Sequence, residues 1–334
     1  MLFIHRRLKL LAGFAFTLIV VFSLWHQTAL SMESVSGDAS VKSINSNTSI
    51  KTASPNAYVF YATEDVYACS VLVNIHRLRH MYHTKHRILV FVSSGVSKEY
   101  LTRFTDLEAK VILETPPPLS AGSSPYYKDC LLKLVPFRVY ELDRYIQRCL
   151  ILDSDQLIMQ NLDAIFQSAS TDIAAAPAYW ISNDTLSSTC MLVEPSRKLW
   201  EQVQTSIASI LPGQYDMDII NDMFRDNAHR LPGSYITINS HWEDRNVPKW
   251  FDIEAGVVPF PDGQLSRPAS DDELEDLYRR AYIIHFFAIG KPWMRTTEEA
   301  RRSRPKSHPI LFKQWEEWRQ NASQLCYSNV VQVI

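Results

Sequence analysis

The triplet Asp153-Ser154-Asp155 puts two carboxylates at positions i and i+2, directly after the buried run Cys149-Leu150-Ile151-Leu152. Carboxylates so placed can both reach a hard cation such as Mn²⁺ or Mg²⁺ and leave coordination positions for phosphate oxygens. A cation held there would offset the charge on a departing diphosphate. With twenty aspartates in 334 residues, about one Asp-x-Asp triplet is expected by chance, so the motif alone carries little. A second triplet, Asp216-Met217-Asp218, precedes Ile219 and Ile220, where ordinary helix capping explains it equally well. Context favours the first.

Lys133 lies in the apolar run LLKLV, so a helix there must either bury its ammonium against an anion or turn it to the surface. His285, at the end of an apolar strand, is by itself more often a satisfied core histidine. His76, His80 and His83 fall at helical spacing, but Arg77 and Arg79 beside them and the lack of an accompanying carboxylate predict a solvated basic face. The run Arg301, Arg302, Arg304, Lys306 reads as exposed surface.

The elements that must position these groups alternate. Strands are predicted over 58–63, 87–93 and 109–113; a polar turn and an amphipathic helix carrying Val71, Leu72, Ile75 and Leu78 follow the first, and a helix over 98–107 follows the second. A Pro- and Ser-rich loop from 116 to 125 precedes a predominantly helical segment over 126–145, which Pro136 breaks or kinks. A buried strand over 149–152 then runs into Asp153, at the edge of an open α/β sheet where ligands bind. An apolar stretch around 173–178 follows, with further strands expected at 190–193 and 282–287, a helix after Pro195, and a C-terminal amphipathic helix carrying Ile310, Leu311, Trp315 and Trp318. The pattern predicts one α/β domain from residue 57 to 334.

Composition bounds the rest. With 46% hydrophobic and 21% charged residues the chain can bury a full core, and a net charge of -2 gives no basic excess for nucleic acid. Residues 10–25 are uncharged and mostly apolar, with Arg6, Arg7 and Lys9 before them. They read as a signal-anchor within residues 1–26 that places the remainder in the secretory lumen, with a cleaved signal peptide as the competing reading. Residues 27–56 read as a lumenal stem rich in Ser, Asn and Thr. The sequons at Asn47, Asn183 and Asn321 are compatible with that compartment. Five cysteines without CxxC or zinc-ligand spacing argue against a disulfide-stapled scaffold or a structural zinc, and the odd count leaves at least one free thiol.

The stretch LILDSDQLIMQNLDAIF resembles the hydrophobic-DxD-hydrophobic-NLD-LF signature of glycosyltransferase family 8, the glycogenin-like enzymes. YVFYATEDVY at 58–67 resembles that family's nucleotide-binding strand and loop, Leu132-Lys133-Leu134 its helical lysine motif, and HFFAIGKPW at 285–293 its closing motif. The resemblance implies a GT-A fold, a single Rossmann-like mixed sheet that binds a nucleotide sugar. It implies Mn²⁺, with Mg²⁺ second, on Asp153, Asp155 and His285, and Lys291 at the donor diphosphate. Ala62, Thr63 and Tyr67 are then expected around the uridine, Ser154 within the donor site, Lys133 toward the sugar and diphosphate, and Asp216 beside the transferred sugar.

The same resemblance implies a retaining hexosyltransferase of the Golgi membrane, single-pass with a lumenal catalytic domain, that uses a UDP-sugar donor on a glycan or glycoprotein acceptor. Fungal Golgi N-acetylglucosaminyltransferases are the most similar branch, which makes UDP-GlcNAc the first expected donor and UDP-Glc the second. Departures stand at Ser188-Thr189-Cys190, at Met217 in place of an amide, and at Ala288 where the family has glycine, with Gly290 displaced. Two other classes remain: a phosphotransferase that phosphorylates the first Asp of a DxD, disfavoured by Leu157 two positions after Asp155, and a non-enzymatic lumenal binding module.

Overall fold

The computed structural model describes residues 54–182, 184–256, 264–327 and 330. The expected signal-anchor and nearly all of the stem lie outside these residues, as do the sequon asparagines Asn47 and Asn183. Among the described residues no helix is long and apolar enough to cross a membrane.

Among the described residues twelve strands follow in chain order: β1 Asn56–Ala62, β2 Arg87–Val92, β3 Ala109–Leu113, β4 Arg148–Leu152, β5 Gln156–Ile158, β6 Ile173–Pro177, β7 Leu186–Val193, β8 His229–Arg230, β9 Thr237–Ile238, β10 Asn246–Pro248, β11 Ser266–Pro268 and β12 Ile283–His285. Seven form the main sheet in the order β3-β2-β1-β4-β7-β6-β8. β3, β2, β1 and β4 are parallel, and β7 runs antiparallel to β4 and β6. The chain lays down β1, β2 and β3 outward in one direction and returns to place β4 on the other side of β1. That reversal opens a crevice at the carboxyl ends of β1 and β4, where open α/β sheets bind ligands.

Strand alternation divides the core between the two faces. Tyr58, Phe60, Val90, Leu150 and Leu152 pack under the helices Asp65–His76, Lys98–Asp106 and Pro309–Leu325. Val59, Leu89, Phe91 and Ile151 pack under the 3₁₀ segment Cys130–Arg138 and the helices Arg197–Ala208 and Asp216–Phe224. A third cluster around Trp242, Trp250, Leu274 and Trp315 supports the small sheet β5-β12-β9.

Three local expectations are corrected. Residues 126–145 form two 3₁₀ segments, Pro125–Tyr127 and Cys130–Arg138, and a short α-helix, Val139–Leu142, in place of one long helix. Pro136 supplies no N–H to an α-helical ladder, which is one reason the segment stays tight and short. Arg77 is 2% exposed and so does not belong to a solvated basic face. The first helix passes into a π-helical stretch, Arg77–Met81, and Arg77 donates to Ile158 O at 2.6 Å and to Glu317 Oε1 at 2.7 Å. Arg79 likewise donates inward, to Thr84 O and His86 O.

Cys69 and Cys326 are disulfide-bonded across 257 residues of sequence, while Cys130, Cys149 and Cys190 are free thiols. The bridge fastens the end of the helix Pro309–Leu325 to the helix Asp65–His76. Removing a native disulfide costs about 2–5 kcal/mol, so Cys326→Ser is expected to lower the unfolding free energy by that much, to move the urea midpoint down in proportion, and to make the midpoint insensitive to reductant. An unchanged midpoint would show that packing of Trp318 alone holds this end.

Candidate functional site

β4 ends at Leu152, and the next residue emerges into the crevice: Asp153 N donates to Thr189 O at 3.1 Å, and its side chain is nearly buried. Lys133 Nζ lies 2.8 Å from Asp153 Oδ1 and 2.7 Å from Asp216 Oδ2. The ammonium is buried against anions, which settles the choice left open by the sequence. Ser188 Oγ donates to the same Asp216 oxygen at 2.6 Å, and Tyr61 OH donates to Asp153 Oδ1 at 2.7 Å. A lysine, two aspartates and two hydroxyls thus form one buried network from β1, β4, β7, the 3₁₀ segment and the helix Asp216–Phe224.

The two members of the second triplet separate cleanly. Asp216 faces inward to Lys133, while Asp218 accepts from Tyr215 N at 2.8 Å and caps the helix. The capping reading holds for Asp218, while Asp216 is free of the cap and buried in the Lys133 network.

His285 arrives through strand register. β12 runs antiparallel to β5 with Ile283 opposite Ile158, Ile284 opposite Leu157 and His285 opposite Gln156, and the ladder continues through Phe286 N to Asp155 O at 3.1 Å. This register brings a residue 130 positions away beside the triplet. His285 Nδ1 lies 3.5 Å from Asp155 Oδ1 and is buried with no hydrogen-bond partner. Lys291 Nζ follows on the turn after β12, 2.5 Å from Asp155 Oδ2 and 2.5 Å from Phe286 O. Asn239 holds that turn, since its Oδ1 accepts from Phe287 N and Ala288 N at 2.7 Å each. Ile289 within it takes φ 64°, a left-handed conformation costly for a β-branched residue, directly before Gly290 at φ 93°.

Electrostatics follow the geometry. Burial alone would lower the Lys133 ammonium, but Asp153 and Asp216 outweigh it and hold the group firmly charged. Burial pushes the Asp153 carboxyl up to about 6 against the opposing pull of Lys133. Burial also raises Asp155, yet the neighbouring cations outweigh it and hold the carboxyl well below the usual range. His285 could contribute to that lowering only as an imidazolium. Burial pushes its pKa down to about 4, so at neutral pH the imidazole is uncharged and Lys291 supplies the field. Asp216 is held down by Lys133 and Ser188 despite its burial.

One ligand atom each from Asp153, Asp155 and His285 can lie within 4.8 Å of one another. Two carboxylate oxygens and a neutral imidazole suit a hard or borderline divalent cation, and the unpartnered His285 nitrogen is what such a cation would satisfy. The residues therefore fit the metal implied by the resemblance.

The remaining expected residues sit around the same edge. Ala62 ends β1 and Thr63 follows it; Ala62 O accepts from Ser93 N at 3.0 Å and Thr63 O from Ser93 Oγ at 2.7 Å. Gly95 closes on this lip, because a Cβ there would meet Thr63 O at 2.3 Å. Tyr67 packs edge-on to Trp293 at 5.6 Å and so joins the first turn of the helix Asp65–His76 to the closing motif. Ser154 donates inward to Tyr61 O at 2.5 Å, where it ties the end of β4 to β1. Tyr61 and Asn239 were not singled out by sequence. Tyr61 lies inside an ordinary strand pattern and Asn239 in a segment without periodicity, so neither carried a signal.

This architecture is a glycosyltransferase fold of the GT-A type. It matches WbbM, a bifunctional glycosyltransferase, with a TM-score of 0.57 at 12% identity over 83% of this chain and 51% of that one. It also matches the galactosyltransferase LgtC, solved with donor and acceptor sugar analogues, with a TM-score of 0.54 at 14% identity over 81% of this chain and 96% of that one. No protein-family model matches the chain. Among curated proteins, Glucose N-acetyltransferase 1 of Gibberella zeae is 25% identical over 267 residues, 73% of this chain and 54% of that protein. Glucose N-acetyltransferase 1 of Aspergillus fumigatus is 26% identical over 248 residues, 62% of this chain and 63% of that protein. The chain thus spans less than two thirds of either relative's length.

Proposed function

We propose that this chain is a retaining hexosyltransferase related to glycosyltransferase family 8. It moves a sugar, GlcNAc in the first instance, from a UDP-sugar to a glycan or glycoprotein acceptor. The observation that carries the reading is the convergence of Asp153, Asp155 and His285 at the crevice between β1 and β4, with Lys133 and Lys291 bonded to the same carboxylates. A divalent cation, Mn²⁺ first, would be held by those three residues and would supply Lewis-acid stabilisation of the departing diphosphate.

The chain's own groups have separable tasks. Lys291 pairs with Asp155 and would offer its ammonium to a diphosphate oxygen of a bound donor. Lys133 fixes Asp216 between its ammonium and the Ser188 hydroxyl, which leaves the carboxylate oriented toward the transferred sugar. The bond from the anomeric carbon to the diphosphate oxygen breaks while the acceptor oxygen bonds to the same face of that carbon. The acceptor proton passes to the departing phosphate oxygen, so no protein nucleophile is needed. The Cys69–Cys326 disulfide supports a place in the secretory lumen, where such bonds persist, and we propose the Golgi membrane as the site of action.

A donor screen on the full chain tests the reading, with UDP release measured for UDP-GlcNAc, UDP-Glc and UDP-Gal with and without Mn²⁺. Release that needs Mn²⁺ and is fastest with UDP-GlcNAc is expected. Release unaffected by chelation would remove the metal from the account, and none with any of the three would remove the hexosyltransferase.

A further inference from the structure

Three tyrosines form a row at the mouth of the site. Tyr126 and Tyr127 are 63% and 44% exposed, unusually open for large aromatic side chains so close together. Tyr126 meets Tyr127 edge-on with ring centroids 4.8 Å apart, and Tyr127 meets Tyr215 at 4.4 Å with the planes tilted by 46°. Two loops carry them, and these are tied together: Ser124 N donates to Tyr215 OH at 3.2 Å and Gly213 N donates to Ser123 Oγ at 3.3 Å. Pro116, Pro117, Pro118 and Pro125 restrict the first loop, so the rings are held in place at little entropic cost.

The row is placed by its neighbours. Tyr215 directly precedes Asp216, and the 3₁₀ segment bearing Lys133 begins at Cys130, three residues after Tyr127. Asp216 and Lys291 both lie near enough to Tyr127 to act on its hydroxyl electrostatically. Inside the crevice the groups are carboxylates, ammoniums, an imidazole and the Tyr61 and Ser188 hydroxyls, chemistry for a diphosphate and a sugar's hydroxyls. The tyrosine row is different: it presents apolar ring surface with polar edges to solvent. Tyrosine offers a rigid, amphipathic contact of this kind with few rotatable bonds.

We propose that Tyr126, Tyr127 and Tyr215 form the platform on which the acceptor's terminal pyranose rests, its apolar C–H face against the rings and its reacting hydroxyl turned inward past Asp216. This rests on the donor-site reading above and adds the acceptor class, a hexopyranoside. Tyr126 meets Tyr127 edge-on and Tyr127 is tilted on Tyr215, so the three rings present a stepped surface to a puckered sugar ring, while Tyr67 packs against Trp293.

Saturation-transfer NMR on the full chain with UDP and Mn²⁺ tests this, using methyl β-D-galactopyranoside, methyl β-D-glucopyranoside and methyl α-D-mannopyranoside as probes. UDP affinity is measured separately by calorimetry. At least one glycoside is expected to receive saturation at its ring C–H protons. That signal should fall at least fivefold in the variant carrying Tyr126→Ala and Tyr127→Ala, and survive in Tyr127→Phe, which keeps the ring. UDP affinity should stay within twofold throughout. Saturation of no glycoside, or saturation that survives the double alanine variant, overturns the platform. A fall in UDP affinity in that variant alone would assign the rings to the base and overturn it too. Failure of the unsubstituted chain to bind UDP strikes the donor-site reading itself.

Discussion

Asp155→Asn is expected to fold normally and lose at least a thousandfold in metal-dependent turnover. The amide keeps the shape of the side chain, and the backbone carbonyl that accepts from Phe286 N is untouched, so β5 and β12 stay paired. What disappears is one of the two carboxylates proposed to hold the cation. The remaining pair, Asp153 and His285, would bind a divalent cation far more weakly, because hard cations depend on carboxylate charge. Stabilising charge on a leaving diphosphate is worth several kcal/mol, and each 1.36 kcal/mol is a factor of ten in rate. Lys291 also loses its partner, although its bond to Phe286 O persists. The check is UDP release as a function of Mn²⁺ concentration, with thermal unfolding as the control. Turnover within tenfold of the unsubstituted chain, at any Mn²⁺ concentration, would exclude Asp155 from the site.

Lys133→Met should cost stability as well as activity. Asp153 and Asp216 are 5% and 7% exposed, and both are compensated by this one ammonium. Removing one partner of a buried ionic network leaves uncompensated charge and typically costs about 3–5 kcal/mol. The sign of the companion substitution is informative. In the Lys133→Met background, Asp216→Asn removes one of the stranded charges and should recover part of the loss, whereas in the unsubstituted chain it should destabilise. Urea unfolding of the four proteins gives the coupling directly. A loss below about 1 kcal/mol for Lys133→Met would mean that the ammonium is solvated, contrary to its place between the two carboxylates.

The parts of this molecule legible in sequence were those with a local cause. β3 occupies 109–113 as the apolar pattern predicts, and β4 ends at Leu152, one residue before the metal-binding triplet is expected to begin. Lys133 was ambiguous because its partners lie 20 and 83 residues away, and local hydrophobicity does not report them. Arg77 was misjudged for the same reason, since the acceptors that let a guanidinium be buried are Ile158 O and Glu317. β5 is only three residues long, too short for a periodic signal, yet its register with β12 is what delivers His285. The Cys69–Cys326 bridge was equally invisible, because spacing does not encode a pair separated by the whole domain. At Asp216 and Asp218 two readings competed: Asp218 took the capping role, and Asp216 is buried against Lys133, an arrangement that local spacing could not report.

The most direct measurement is the anomalous scattering of Mn²⁺ in crystals of the chain grown with UDP. A single strong peak is expected within coordination distance of carboxylate oxygens of Asp153 and Asp155 and of the His285 imidazole, with UDP phosphate oxygens on its open side. A peak elsewhere, or UDP bound in the crevice with no manganese beside these three residues, would contradict the account.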